Sequence, residues 1–227
     1  MFEAPVEAAD RGRSLAPIAA AFVAAMISVG AIGLLRWTPA APLAPRFVKI
    51  ELGERILELD EALIHPGPQR QGGKLDRADL ILGWPDLGPA HLVAWDDRGH
   101  AAPPAASAHV LMSLQAADGI DPATRSLAVH GRFIEPEIWS NPGGLIMRRF
   151  KAGSPYEGEE LVMTPDGAEF AARCPTAGVG RHDLPPRCLA TFRAAGVDAL
   201  VSFDPALLPE WQRLKSGVLN LVGRALR

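Results

Sequence analysis

The 227-residue chain has little of what most catalytic and metal sites are built from: two cysteines, one tyrosine and six histidines. Both cysteines lie in RCPTAGVGRHDLPPRC, Arg173 to Cys188, with His182 between them. No CxxC is present, which excludes the simplest dithiol redox couple. Cys174, Cys188 and His182 make at most three ligands, none closely paired, whereas a structural zinc site takes four. The remaining histidines show neither HxH nor HExxH spacing. Ser154 lacks the G-x-S-x-G elbow, and GVGRHD lacks the third glycine and the strand-to-helix setting of a nucleotide loop. Excess positive charge is missing as well. Lysine and arginine total 23 against 26 aspartates and glutamates, a formal net charge of -3 that leaves no overall field for nucleic acid phosphates.

A further absence is local. From Ser14 to Leu35, SLAPIAAAFVAAMISVGAIGLL, no side chain ionises. A helix of that length rises about 33 Å at roughly 1.5 Å per residue, the depth of a bilayer's hydrocarbon core. Secretory h-regions run only about 7–15 residues, so the expectation is a retained transmembrane anchor over 14–36 behind a short cytoplasmic tail, 1–13. Trp37 suits the far interface. Flanking charge does not orient the span, because Arg11 and Arg13 precede it while Arg36, Arg46 and Lys49 come after it. The cysteine pair breaks the tie: it fits an oxidising compartment, which places the carboxy-terminal domain in the periplasm of a bacterial inner membrane. WTPAAPLAPR, 37–46, carries three prolines and reads as an extended spacer.

The stretch 47–227 is long enough for one domain with a proper core. FVKIELGERILELD alternates apolar and polar residues on both sides of Gly53 and Glu54, a hairpin with glycine at the first central position of a type II′ turn. Period-2 runs recur in ADLILGW (Leu80, Leu82, Trp84 on one face), HVLMSLQ (Val110, Met112, Leu114) and SLAVHGRFI (Leu127, Val129, Phe133). LIMRRF adds a strand, Pro165–Asp166–Gly167 makes a turn between two more, and Gly196 closes a last hairpin from CLATFRA into VDALVSF. GHAAPPAASA reads as a long surface loop. Eight or nine strands without alternating helices predict an α+β, mostly β domain: an antiparallel sheet or sandwich-like fold. It is closed by a C-terminal amphipathic helix over 209–226, whose apolar face is Trp211, Leu214, Val218, Leu221, Val222 and Ala225.

In an exported domain the default for Cys174 and Cys188 is a structural disulfide worth about 3 kcal/mol in the chain-entropy model. WDDRGH offers Asp96, Asp97 and His100 as a possible cation site, without a recognised loop spacing. Arg148, Arg149 and Lys151 form a small basic patch for an acidic partner. No cofactor is implied. Anchor, spacer and compact domain without a catalytic constellation predict a non-enzymatic, single-pass envelope protein. Its span contacts membrane lipid, and its periplasmic domain binds or positions another envelope component. The alternative is an envelope hydrolase or metal-dependent enzyme assembled from distant loops.

Overall fold

Val48, Ile50 and Leu52 are buried while Phe47, Lys49 and Glu51 are exposed, so β1 (Phe47–Leu52) is a strand with one wet face. It pairs with β2 (Arg55–Asp60) from Phe47↔Asp60 to Leu52↔Arg55, leaving Gly53 and Glu54 as the two-residue turn. Gly53 has a φ of 58°, which a type II′ turn requires at that position. The computed structural model describes residues 44–90, 94–95, 101–102, 109–176, 178 and 185–226, and Pro45–Arg227 forms one compact unit. The expected span over 14–36, nearly all of the spacer, and Asp96, Asp97, His100 and His182 lie outside the described residues.

β3 (Gly73–Lys74) adds to β1 in parallel, giving a three-stranded sheet of order β2-β1-β3. A nine-stranded sheet is the main element. In sequence order its strands are β4 (Arg77–Gly83), β5 (Gly88–Pro89), β8 (His109–Ala116), β9 (Trp139–Asn141), β10 (Leu145–Arg149), β11 (Glu159–Met163), β12 (Ala171–Pro175), β13 (Cys188–Ala194) and β14 (Val197–Phe203). In space they run β5-β4-β8-β14-β13-β12-β11-β10-β9, every neighbour antiparallel. β6 (Ala94–Trp95) and β7 (Ala101–Ala102) form a separate ribbon, so part of the expected long loop is paired. This is an antiparallel, mostly β domain carrying a C-terminal helix, an α+β fold.

Ala78, Leu80 and Leu82 of β4, Val110, Met112 and Leu114 of β8, and alternate residues of β13 and β14 point to one face. They share a core with Ile50, Leu52, Leu57 and Leu59 of the small sheet and with the C-terminal helix α2, Trp211–Ala225. α2 buries the six residues named from its spacing, and a 3-10 segment, Pro205–Glu210, leads into it. That lead is capped by Asp204, whose carboxylate accepts the Ala206 N–H at 2.8 Å.

Two expectations need correction. Trp84 does not extend β4; it sits half-buried in the following turn with the Arg213 guanidinium 5.4 Å from its ring. SLAVHGRFI is not a strand. Residues Pro122–His130 form helix α1 and Gly131–Phe133 a 3-10 turn. The deciding signal lies upstream: the Asp121 carboxylate accepts the Thr124 N–H, and Pro122 occupies the first helical position, a start chemistry that overrides a short alternating run. Leu127 and Val129 accordingly stay 37% and 41% exposed.

The β13–β14 turn carries a local strain. Ala194 pairs with Val197, so Ala195 and Gly196 are the two central residues, with φ of 47° and 83°. Both positive values mark a type I′ geometry, which favours Asn-Gly over Ala-Gly. Ala195→Asn is expected to stabilise the domain by about 1 kcal/mol and raise its melting temperature by roughly 2–4 °C, read by thermal unfolding.

Candidate functional site

The two faces of the nine-stranded sheet differ. Its inner face is the core. On the outer face, the 3-10 turn after α1 and the 151–158 turns lie over the β10–β12 end, around a second cluster of Ile134, Phe150, Leu161 and Met163, while α1 packs on β13 near the Arg193 end, where Arg125 meets Asp198. Toward β4, β8 and β14 the outer face carries exposed side chains.

Register sets that open face out in three rows across β4, β8, β14 and β13. Ile81, Leu111, Ser202 and Leu189 make one row; Asp79, Ser113, Leu200 and Thr191 the next; Arg77, Gln115, Asp198 and Arg193 the third. Leu111 and Leu200 are 40% and 41% exposed, large apolar side chains where alternation calls for polar ones. At the β13 end of the first row Arg187 donates from Nε to Ser202 Oγ (2.8 Å) and from a terminal nitrogen to the carbonyls of His109 and Ser202, which fixes the rim.

A shallow pocket of about 300 Å³ opens beside Leu111, lined by His65, Arg77, Asp79, Ile81 and Ser113 among others. Asp79 is its anchor. It accepts from Ser113 Oγ (2.5 Å) and Gln69 Nε2 (3.1 Å), pairs with Arg77 Nε (3.0 Å), and its own N–H donates to Gln69 Oε1 (2.7 Å). Burial works to raise the Asp79 pKa, but the bonds from Ser113 and Gln69 and the charge of Arg77 outweigh it and hold it below the ordinary 3.8. A carboxylate so held is a poor base for Ser113. His65, the imidazole in the lining, turns Nδ1 to the Pro66 carbonyl at 3.0 Å. Ser113, Gln69 and Arg77 thus hold Asp79 in one fixed position at the edge of the open face.

The third row ends in a charge cluster. Asp198, 1% exposed, accepts from Arg193 Nε (2.6 Å) and a terminal Arg193 nitrogen (2.8 Å), with Arg125 of α1 at 3.7 Å. Asp118 pairs with both arginines. Two acids and two bases compensate one another, and the result is to pin the start of α1 to the sheet.

Of the expected site residues, the cysteines form the expected bond. Cys174 and Cys188 are disulfide-bonded, at the end of β12 and the start of β13. Arg148 spends its guanidinium on the Glu135 carbonyl (3.0 and 2.6 Å), and Lys151 Nζ donates to the Arg132 carbonyl at 3.0 Å. Arg149 stacks 5.0 Å from the Trp139 ring. The first two strap residues 132–135 to β10, so this basic trio is held by its own fold. Among the described residues no group of three or more histidines, cysteines or acids is placed to hold a metal, and no helix is long and apolar enough to cross a membrane.

Comparison with solved structures places the architecture. The chain shares its fold with Smlt3025, an immunity protein of the Stenotrophomonas maltophilia type IV secretion system. The TM-score is 0.56 at 13% identity, over 81% of this chain and 94% of that one. The iron-regulated outer membrane lipoprotein FrpD of Neisseria meningitidis is also similar, at TM-score 0.44 and 9% identity, over 80% of this chain and 92% of FrpD. No protein-family profile and no curated protein sequence matches the chain. The Smlt3025 alignment spans nearly that whole protein, so what is shared is an entire domain architecture and not a local motif.

Beside the second cluster lies His130, the last residue of α1. Its ring stands edge-on to Tyr156 (4.6 Å) and Phe150 (5.6 Å), and its buried Nδ1 has no hydrogen-bond partner among the described residues. Burial first, and then the charge of Arg173, push its pKa below the ordinary 6.5. The folded state therefore binds this proton less readily than the unfolded chain. Stability is complete above about 6.5 and is lost as pH falls from there through the folded value. Asp79 acts in the same sense lower down, its contribution declining as pH falls from about 3.9 through its lower folded value. Urea unfolding along a pH series is expected to show a decline below pH of about 6.5, and His130→Phe is expected to remove it. An unchanged slope in the variant would assign the proton elsewhere.

Proposed function

We propose that the chain is a non-enzymatic, single-pass envelope protein, anchored through residues 14–36, whose periplasmic domain binds another envelope protein across the outer face of β4, β8, β14 and β13. One observation carries this reading: Leu111 and Leu200 stand exposed on adjacent strands, framed by the fixed polar groups of Asp79, Ser113 and Arg187. An apolar centre with a hydrogen-bonded rim is the anatomy of a protein interface, and a rigid rim lowers the ordering cost of binding. The fold shared with an immunity protein of a type IV secretion system is compatible with a protein as the partner.

A photo-crosslinking residue placed at position 111 or 200 of the full-length chain in membranes is expected to give a discrete adduct, and one at Glu51 none. Leu200→Glu should abolish the adduct formed from position 111 while leaving the melting temperature within about 2 °C, because both sites are half-exposed. Recovery of the chain alone from both positions would end the partner reading. Protease treatment of spheroplasts tests the anchor separately: the domain should be digested while a fragment near residues 1–36 stays with the membrane.

A further inference from the structure

A second recess lies away from that face, on the edge of the small sheet. There β2 runs past the last turn of α2 and the 86–89 turn, enclosing a notch of about 390 Å³. Its floor is apolar: Leu59, Leu87, Leu221 and Ala225 are buried, and Leu63 is half-buried beside them. Its rim is acidic, with Glu58, Asp60 and Asp86 against a single guanidinium, Arg224. Phe47, 55% exposed, stands at the mouth. Among the described residues Asp86 has no hydrogen bond or ion pair. Asp60 gives one carboxylate oxygen to the Ala62 N–H at 2.9 Å and has the other to spare.

We propose that this notch takes a lysine or arginine side chain presented by a polypeptide partner. The two halves of the recess make opposite demands that few ligands meet together. A purely apolar group would cover the floor but strip water from the carboxylates of Asp60 and Asp86 without replacing it. A small hydrated cation would answer the rim and leave the floor wet. A lysine or arginine does both, covering the apolar lining with an aliphatic stem and carrying its charged head to Asp60 and Asp86. Phe47 adds a ring face at the entrance, where a cation gains further attraction. Asp60 and Asp86, the rim carboxylates with oxygens to spare, outnumber the one base, Arg224, so the complementary partner is cationic. This site shares no residue with the sheet face and does not depend on it.

The test uses the purified full chain in detergent micelles and three fluorescein-labelled tripeptides, leucyl-X-leucine with X as lysine, norleucine or glutamate, followed by anisotropy with empty micelles as the blank. Norleucine keeps the stem and removes the charge. The lysine peptide is expected to bind about tenfold more tightly than the norleucine peptide, a difference of ~1.4 kcal/mol, and the glutamate peptide more weakly than both. Asp86→Asn and Asp60→Asn should each erase most of that preference; asparagine at 60 keeps the oxygen that caps Ala62, so the fold is retained. Leu111→Glu, which disrupts the sheet face, should leave the preference for the lysine peptide intact, so that failure of the notch and failure of the sheet-face reading are told apart. Equal binding of the lysine and norleucine peptides, or a lysine preference that survives in the Asp60→Asn/Asp86→Asn double variant, overturns the proposal.

Discussion

Trp211→Ala is expected to lower the unfolding free energy by about 3–5 kcal/mol, the range for deleting a buried aromatic side chain. Trp211 is 4% exposed at the first position of α2, and its burial joins three parts of the domain. Its ring lies 5.2 Å from Phe170, which in turn lies 6.1 Å from Phe192 of β13, so it continues an aromatic row across the core. Its Nε1 donates to the Gly143 carbonyl at 2.9 Å, fixing the β9–β10 turn. That turn is already pressed on the lead into α2: a Cβ on Gly143, where φ is 80°, would stand 3.1 Å from the Pro209 carbonyl oxygen. Trp211→Phe separates the contributions. It keeps most of the ring contact but leaves the Gly143 carbonyl without its donor, for an expected loss of about 1–3 kcal/mol. Urea unfolding of both variants reads the difference. A loss below about 1 kcal/mol for the alanine variant would mean that α2 docks through Leu214, Val218 and Leu221 without its first residue.

The elements that were legible in the sequence are those whose pattern and end signals agree. β1 and β2 alternate on either side of Gly53, β13 and β14 meet at Gly196, and β4 stops just before Pro85; these and β8 are strands where expected. α2 repeats at threes and fours over fifteen residues, long enough to fix all six buried positions. SLAVHGRFI failed because five apolar residues in nine suit either period, and the Asp121–Pro122 start that decides between them lies outside the window. The parallel pairing of β3 with β1 was beyond reach, since two residues have no period.

The candidate surface left one trace in the sequence that spacing arguments pass over. Leu111 in HVLMSLQ and Leu200 in VDALVSF occupy slots that alternation assigns to solvent. A leucine in a polar slot says that a strand has apolar residues on both faces, not which face is covered. Only the register, which sets Leu111 beside Ile81 and Ser202 and places Ser113 opposite Leu200, turns two irregularities into one surface. The acid-rimmed notch is harder still. Glu58, Asp86 and Arg224 come from β2, a turn and a helix end, with no sequence proximity to join them.

Reduction of the Cys174–Cys188 disulfide is the other change expected to have a large effect. The seam it crosses is thin: β12 and β13 are in register through Ala172↔Ala190 and Arg173↔Leu189, whereas β13 and β14 share seven pairs. The disulfide continues that register by one position and brings the two Cα atoms to 4.2 Å. Without it, the residues between the strands become an open loop in the unfolded chain, a gain in disorder worth about 3 kcal/mol in the chain-entropy model. For a domain of this size that corresponds to roughly 6–12 °C in melting temperature. Both sulfurs belong to residues no more than 2% exposed, so reductant should act on the folded protein slowly and on the unfolded protein at once. Cys174→Ala/Cys188→Ala is expected to reproduce the loss and to make the protein indifferent to reductant. Thermal unfolding with and without dithiothreitol decides the matter: equal melting temperatures for the oxidised protein and the double variant would show that the β12–β13 seam holds by packing alone. The same strands carry Arg173, Leu189, Thr191 and Arg193 on the outer face, so loosening the seam should also weaken the adduct formed from position 200. A mechanically intact but non-binding reduced protein would place the disulfide in the service of the surface as well as of the core.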